Sequence, residues 1–234
     1  DLKVTEEHAV RPYMTAQKRI QEFVKEHGLS DKPHALLWLS KVYGTPAGMY
    51  ACQIWGTGCL SKGKVFGSQL QKRHLCSLRR ILGVKNTTAN WPVLRECGQD
   101  PLQFGWFKAV VKLYNSMLES NSETLRKALK ADIYLSSSDV SCWSAQVSQS
   151  FRGLRGADVF QQSMKRAAKI PMQAFVSDLR YRQQAVWREA AGKSPREVNK
   201  KVVTYQSWCA CPLFAARRFP YPIPMYLFKD LTGE

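Results

Sequence analysis

Lys72 and Arg79, and likewise Arg73 and Arg80, stand seven residues apart. On a helix that turns by about 100 degrees per residue, that spacing aligns the four cations as a stripe. Leu70, Leu75, Leu78, Ile81 and Leu82 fall on the other half of the same wheel. Such a helix can bury its leucines and offer phosphates a face made only of positive charge. The stripe belongs to a wider anomaly. From Lys32 to Arg95 the chain holds ten Lys or Arg and no Asp or Glu, where the average acid frequency of the chain would place about 5. Trp38, Tyr43, Tyr50, Trp55 and Trp91 are threaded through this stretch. Charge for phosphates and flat faces for bases are what RNA or single-stranded DNA requires of a protein. An ordinary solvated face mixes both signs to limit self-repulsion.

Further candidate phosphate contacts are Lys62, Lys64, Lys85 and Arg95 in the same stretch. Lys165, Arg166 and Lys169 follow the same logic more weakly, as do Arg180, Arg182 and Arg188. Arg217 and Arg218, near the C-terminus, could reach a groove. His74 lies beside the stripe, where a lone histidine reads as a packing or hydrogen-bonding residue rather than a functional one.

Catalytic chemistry is not indicated. Enzymes that act on nucleic acid with two metals need clustered carboxylates to hold Mg²⁺, and the most basic third of the chain has none. There is no Asp-Asp pair, no G-x-x-x-x-G-K followed by Ser or Thr, no H-E-x-x-H and no G-x-S-x-G. The expectation is therefore no enzyme activity of this chain alone, no catalytic residues, no metal, no cofactor and no small-molecule substrate. Seven cysteines, an odd count, are irregularly spaced, and the close pair Cys209 and Cys211 has no nearby His. Reduced, structural thiols fit this pattern and an intracellular compartment better than a disulfide framework or a zinc module.

The whole chain is basic. Its 234 residues carry a formal net charge of +17, which favours a polyanionic partner. Residues 1–117 hold 17 Lys or Arg against 8 Asp or Glu, and residues 118–234 hold 18 against 10. The excess is thus spread through the body and is not a basic tail. With 44% hydrophobic residues a chain of this length can bury a proper core. No run is long enough for a membrane span and nothing at the N-terminus reads as a secretory signal, so a soluble chain with no membrane partner is expected. It begins at Asp1 rather than Met, as a processed protein or a piece of a longer one would.

The elements that must carry these cations read almost entirely as helix. The periodicity and punctuation predict helices over Pro12–His27, Asp31–Tyr43 and Thr45–Trp55, then a loop or loose first turn over Gly56–Gly67. A long helix follows from Leu70 to Gly83, then helices over Trp91–Cys97, Leu102–Met117 and Ser122–Ala131. Ser136, Ser137 and Ser138 mark a polar linker before helices at Ser141–Phe151, Ala157–Lys169, Pro171–Ala191 and Ser194–Trp208. Gly28, Gly83 and Gly98 are natural helix stops. No period-2 strand and no internal repeat is evident. After Cys211, Pro212, Pro220, Pro222 and Pro224 interleave with Phe214, Phe219, Tyr221, Tyr226 and Phe228. Proline at that density blocks helix and leaves an extended strip apolar enough to lie on a surface. The expected fold is mainly α.

Three blocks of sequence resemble one family. The first runs from Leu36-Leu37-Trp38-Leu39 into Pro46-Ala47-Gly48-Met49-Tyr50-Ala51-Cys52-Gln53-Ile54-Trp55-Gly56. The second runs from Leu70-Gln71-Lys72-Arg73-His74-Leu75 through Leu78-Arg79-Arg80-Ile81-Leu82-Gly83-Val84 to Asn90-Trp91-Pro92-Val93-Leu94-Arg95-Glu96-Cys97-Gly98 and Pro101-Leu102-Gln103-Phe104. The third comprises Gly153-Leu154-Arg155-Gly156, Gln184-Ala185-Val186-Trp187-Arg188 and Pro222-Ile223-Pro224-Met225-Tyr226-Leu227. In this order they resemble the region downstream of the palm in LINE-type (non-LTR) retrotransposon reverse transcriptases. The resemblance implies a thumb-like helical domain over 1–120, a helical connector over 121–211 and an extended tail over 212–234. It also implies a role in holding a template-primer duplex and element RNA. The palm with its Tyr-x-Asp-Asp strand, the Cys/His knuckle and an endonuclease domain have no counterpart in this sequence, so no catalytic residue is carried over.

Together these readings predict a non-catalytic RNA-binding protein derived from such a reverse transcriptase. It would be a structural component of a large ribonucleoprotein whose host is the mitochondrial ribosome, with ribosomal RNA and neighbouring proteins as partners. A mitochondrial location would account for a removed targeting segment; the alternative locations are nuclear and cytoplasmic. Two other functions compete. One is a thumb and C-terminal fragment of an active reverse transcriptase, the other a free nucleic-acid-binding regulator.

Overall fold

The structure is a computed structural model, and it describes residues 2–59, 66–151, 157–179 and 181. The expected helix over Ser194–Trp208 and the Pro/aromatic tail lie outside the described residues, and most of the loop over Gly56–Gly67 does too. Among the described residues the fold is mainly α, with no strand. The helices are α1 (Leu2–Glu26), α2 (Pro33–Leu39), a π turn (Ser40–Gly44), α3 (Thr45–Met49), α4 (Cys52–Cys59), α5 (Gln69–Leu82) and α6 (Asn90–Glu96). They continue with α7 (Leu102–Leu118), α8 (Glu123–Leu135), α9 (Trp143–Phe151), α10 (Ala157–Lys165) and a last helical stretch, α11, over 172–179.

Two compact units arise, one chiefly from Val4–Tyr50 with Ser68–Pro101, the other from Ala51–Gly67 with Leu102–Ala185. This division differs from the expected boundary at 120/121. Helix α7 groups with the helices that follow it, and α4, early in the chain, joins the same unit. The reason is burial. Trp106, Phe107, Val110, Val111 and Tyr114 of α7 are all fully buried, a broad apolar face that needs cover from several neighbouring helices.

In the first unit, α1 packs on the segment from α2 to α3. The Gln17 amide Nε2 donates to Ser40 Oγ at 2.7 Å in a buried contact. The Cα of Gly48 lies so close to Tyr13 and Leu70 that an added Cβ would stand 3.0 Å from each. Helix α5 starts where Ser68 Oγ accepts from the Gln71 N–H at 3.0 Å, while Glu6 Oε1, from α1, accepts from the Gln69 N–H. It ends at Gly83, which takes φ +66, a left-handed geometry that favours glycine and lets Val84 N–H return to Arg79 C=O at 3.0 Å. Gly28 and Gly98, with φ +64 and +59, stop α1 and α6 the same way.

In the second unit an aromatic stack forms the core. Ring centroids lie 4.9 Å apart for Trp106 and Phe107, 4.8 Å for Phe107 and Phe151, and 5.3 Å for Phe151 and Phe175. Asn115 clasps the backbone of Ile170, its Nδ2 donating to the carbonyl and its Oδ1 accepting from the N–H, each at 2.9 Å. Asp132 of α8 accepts from the Ser144 N–H at 2.9 Å and so caps α9.

Several boundaries depart from expectation, among them the helix expected over Ala157–Lys169, which ends at Lys165. Helix α1 begins ten residues before Pro12, which sits inside it and removes one main-chain donor from the ladder. The predicted helix from Thr45 to Trp55 is two helices, broken at Ala51, which takes φ +52. Gly56 to Cys59, expected in a loop, continue α4 as helix because Gly56 is pressed against the Trp106 indole.

Candidate nucleic-acid interface

Helix α5 is amphipathic as the wheel predicts. Leu70, Leu75, Leu78 and Leu82 are buried, while Lys72, Arg73 and Arg80 are exposed. Arg79 is a correction to the four-cation stripe. Its side chain is buried, with Nε donating to the Thr88 carbonyl at 3.0 Å and Nη2 donating to the same oxygen at 2.6 Å and to Asn90 Oδ1. The wheel permits this outcome. Arg79 lies about 20 degrees from Lys72 but only about 40 degrees from Leu75, on the border toward the buried face. There α6 packs on α5, and the guanidinium finds the loop carbonyl instead of solvent. Partial burial lowers its pKa from the ordinary arginine value.

Arg79 therefore fastens the segment between α5 and α6. Replacement by Met keeps the aliphatic packing and deletes the donors to Thr88 and Asn90. The expected result is a loss of about 1–3 kcal/mol in urea unfolding, with the exposed cations still in place. Stability within error of the parent protein would show the contacts to be dispensable.

Lys85 and Arg95 are exposed in the same unit, the first after α5 and the second on α6. Trp38, Tyr43 and Tyr50 of that unit are exposed, at 59%, 58% and 83%, so three of the five expected aromatics offer faces to a base. Trp91 is half-buried, and Trp55, also half-buried, belongs to the other unit. Lys165, Arg166 and Lys169 are exposed in that other unit, and Lys169 Nζ is already paired with Glu119 Oε1. Lys62, Lys64, Arg180, Arg182, Arg188, Arg217 and Arg218 lie outside the described residues. The structure thus brings Lys72, Arg73, Arg80, Lys85 and Arg95 together in one unit and places the Lys165 group on another.

His74 is wholly buried, and its Nδ1 lies 3.1 Å from the Tyr13 hydroxyl. Burial lowers its pKa to about 4, offset only slightly by the Gln99 side chain, and burial pushes Tyr13 up to about 12. It is a packing residue. Cys52, Cys76, Cys97 and Cys142 are free thiols, and burial pushes Cys52 up to about 11 and Cys97 to about 12, out of the reactive range. Among the described residues no cluster of His, Cys, Asp and Glu is arranged to hold a metal, and no helix is long and apolar enough to cross a membrane.

Comparison with family models, curated proteins and solved structures finds no significant match.

Proposed function

We propose that this chain is a non-catalytic RNA-binding protein whose body derives from the thumb and post-palm region of a LINE-type reverse transcriptase. The observation that carries the reading is the outer face of α5, where Lys72, Arg73 and Arg80 stand exposed in a stretch with no acid from Lys32 to Arg95. Three exposed cations, none ion-paired with a carboxylate among the described residues, attract phosphate, and their spacing along a helix gives that attraction a direction. Exposed Trp38 and Tyr50 supply stacking surfaces in the same unit. The role that follows is structural, as a component of a large ribonucleoprotein, with a mitochondrial ribosome as the host and ribosomal RNA as the partner. The resemblance also supports a second reading, the thumb fragment of an active reverse transcriptase. A Tyr-x-Asp-Asp block encoded upstream would decide for it.

Changing Lys72, Arg73 and Arg80 together to Gln should weaken binding of single-stranded RNA and reduce the slope of log K against log salt by about 2. Thermal stability should stay where it was, because all three side chains are exposed. Unchanged affinity and slope would show a merely solvated face. Purified protein should neither extend primers nor cleave RNA or DNA with Mg²⁺ or Mn²⁺, and in an organelle lysate it should co-sediment with ribosomal RNA at moderate salt. Migration as a free small species would overturn the ribonucleoprotein assignment.

A further inference from the structure

An open groove of about 760 Å³ runs along the first unit between α1 and the segment from α2 to α3. Its floor on α1 is the row Pro12, Ala16 and Ile20, spaced four residues apart. Leu39, Tyr43 and Ala47 form the opposite wall, again one turn apart, through the π turn. Two rows with a trough between them are what a third helix packs into, ridge into groove. From Arg11 to Phe23 the lined part of α1 is about 18 Å long, room for about three turns of a partner helix.

The chemistry of the rim says which helix. Arg11 and Arg19 stand on the same side of the groove, eight residues or about 12 Å apart, and both are exposed. Neither has a carboxylate partner among the described residues, although Lys18 close by is paired with Glu22 at 3.7 Å. Phe23 is 45% exposed at one end and Tyr43 58% exposed on the wall, so apolar surface is left open between two unneutralised cations. An aliphatic floor suits side chains such as Leu and Ile better than nucleobases, which need hydrogen-bonding edges as well as faces.

We propose that this groove seats an amphipathic helix of a protein partner. Its apolar residues at i, i+3/i+4 and i+7 would lie on Ala16, Ile20, Leu39 and Tyr43, and two Asp or Glu seven or eight residues apart would meet Arg11 and Arg19. This surface is separate from the exposed cations of α5, so the inference does not rest on RNA binding. It gives the chain one face for a protein and another for a polyanion.

The test uses the full chain and fluorescein-labelled synthetic helical peptides of 18 residues with a Leu/Ile face. One carries Glu at the two flanking positions and its twin carries Lys there; anisotropy reports binding. The Glu peptide should bind, and the Lys twin about ten-fold more weakly. Arg11→Glu with Arg19→Glu should invert that preference, and Ala16→Trp, which fills the trough, should abolish binding of both without shifting the melting temperature. Equal affinity of the two peptides, or binding that survives Ala16→Trp, would overturn the proposal. So would self-association, or crosslinking of RNA to Tyr43, that Ala16→Trp abolishes, because the occupant would then be a second copy or RNA.

Discussion

Trp106→Ala is expected to be the most damaging single substitution in the described chain, lowering unfolding free energy by about 3–5 kcal/mol. The indole is fully buried, with its ring centroid 4.9 Å from Phe107 and 6.4 Å from Phe151, so truncation removes contacts from several aromatics at once. Gly56 supplies the other half of the prediction. Its bare Cα rests against the indole, and a Cβ built there would overlap the ring at Cδ1 and Nε1. Gly56→Ala alone should therefore cost about 1–3 kcal/mol through overpacking. Combined with Trp106→Ala, the same methyl enters vacated space, so the double variant should be more stable than the sum of the single losses predicts. Urea unfolding of the three variants measures this, and strictly additive losses would show that the two residues do not press on one another.

That pair also shows where reading the sequence stops. Gly56, Gly58 and Gly63 so close together look like a loop, because glycine is a poor helix former when judged by its own backbone. Gly56 is helical because a tryptophan fifty residues away occupies the place of its side chain. No local rule carries that information. By contrast the ends of α1, α5 and α6 are local events, and each is legible in a glycine that takes the left-handed conformation. The core of α7 was legible in part, since Leu102, Trp106 and Val110 recur at helical spacing and are buried, whereas Leu113 of the same series is half-buried. The break at Ala51 was not; an alanine with φ +52 is held there by its surroundings and bears no mark of it in its type.

The candidate interface divides in the same way. A helical wheel assigns Lys72, Arg73 and Arg80 to the solvent side because they lie far from the leucine arc. It cannot settle Arg79, whose side chain is long enough to turn either way and is decided by the carbonyl of Thr88. The groove on α1 was hidden by a boundary. With a helix taken to start at Pro12, Arg11 falls outside it, and the pairing of Arg11 with Arg19 along one row disappears. The opposite wall comes from a segment with its own irregular turn, and periodicity in either segment says nothing about the space between them.

Acid should weaken the first unit well before its carboxylates are titrated. His74 is fully buried, and burial holds its pKa at about 4, whereas in the unfolded chain it returns to the ordinary value near 6.5. Below that value the unfolded chain binds a proton the folded chain refuses, so stability falls as pH drops from about 6.5 to about 4 and is level above that window. The shift corresponds to about 3 kcal/mol over the window. Around the ring stand the Tyr13 hydroxyl from α1 and the Gln99 side chain beyond α6, and neither carries a negative charge that would hold an imidazolium. With Tyr13 raised to about 12 and neutral throughout, the pair stays uncharged as long as the unit is folded. His74→Gln keeps a hydrogen-bonding group toward Tyr13 but cannot titrate. Its unfolding free energy should be lower than that of the parent at pH 7.5, where the imidazole packs best, and nearly flat from pH 7 to pH 4.5. Two parallel curves of stability against pH would show that the buried imidazole is not the group that senses acid.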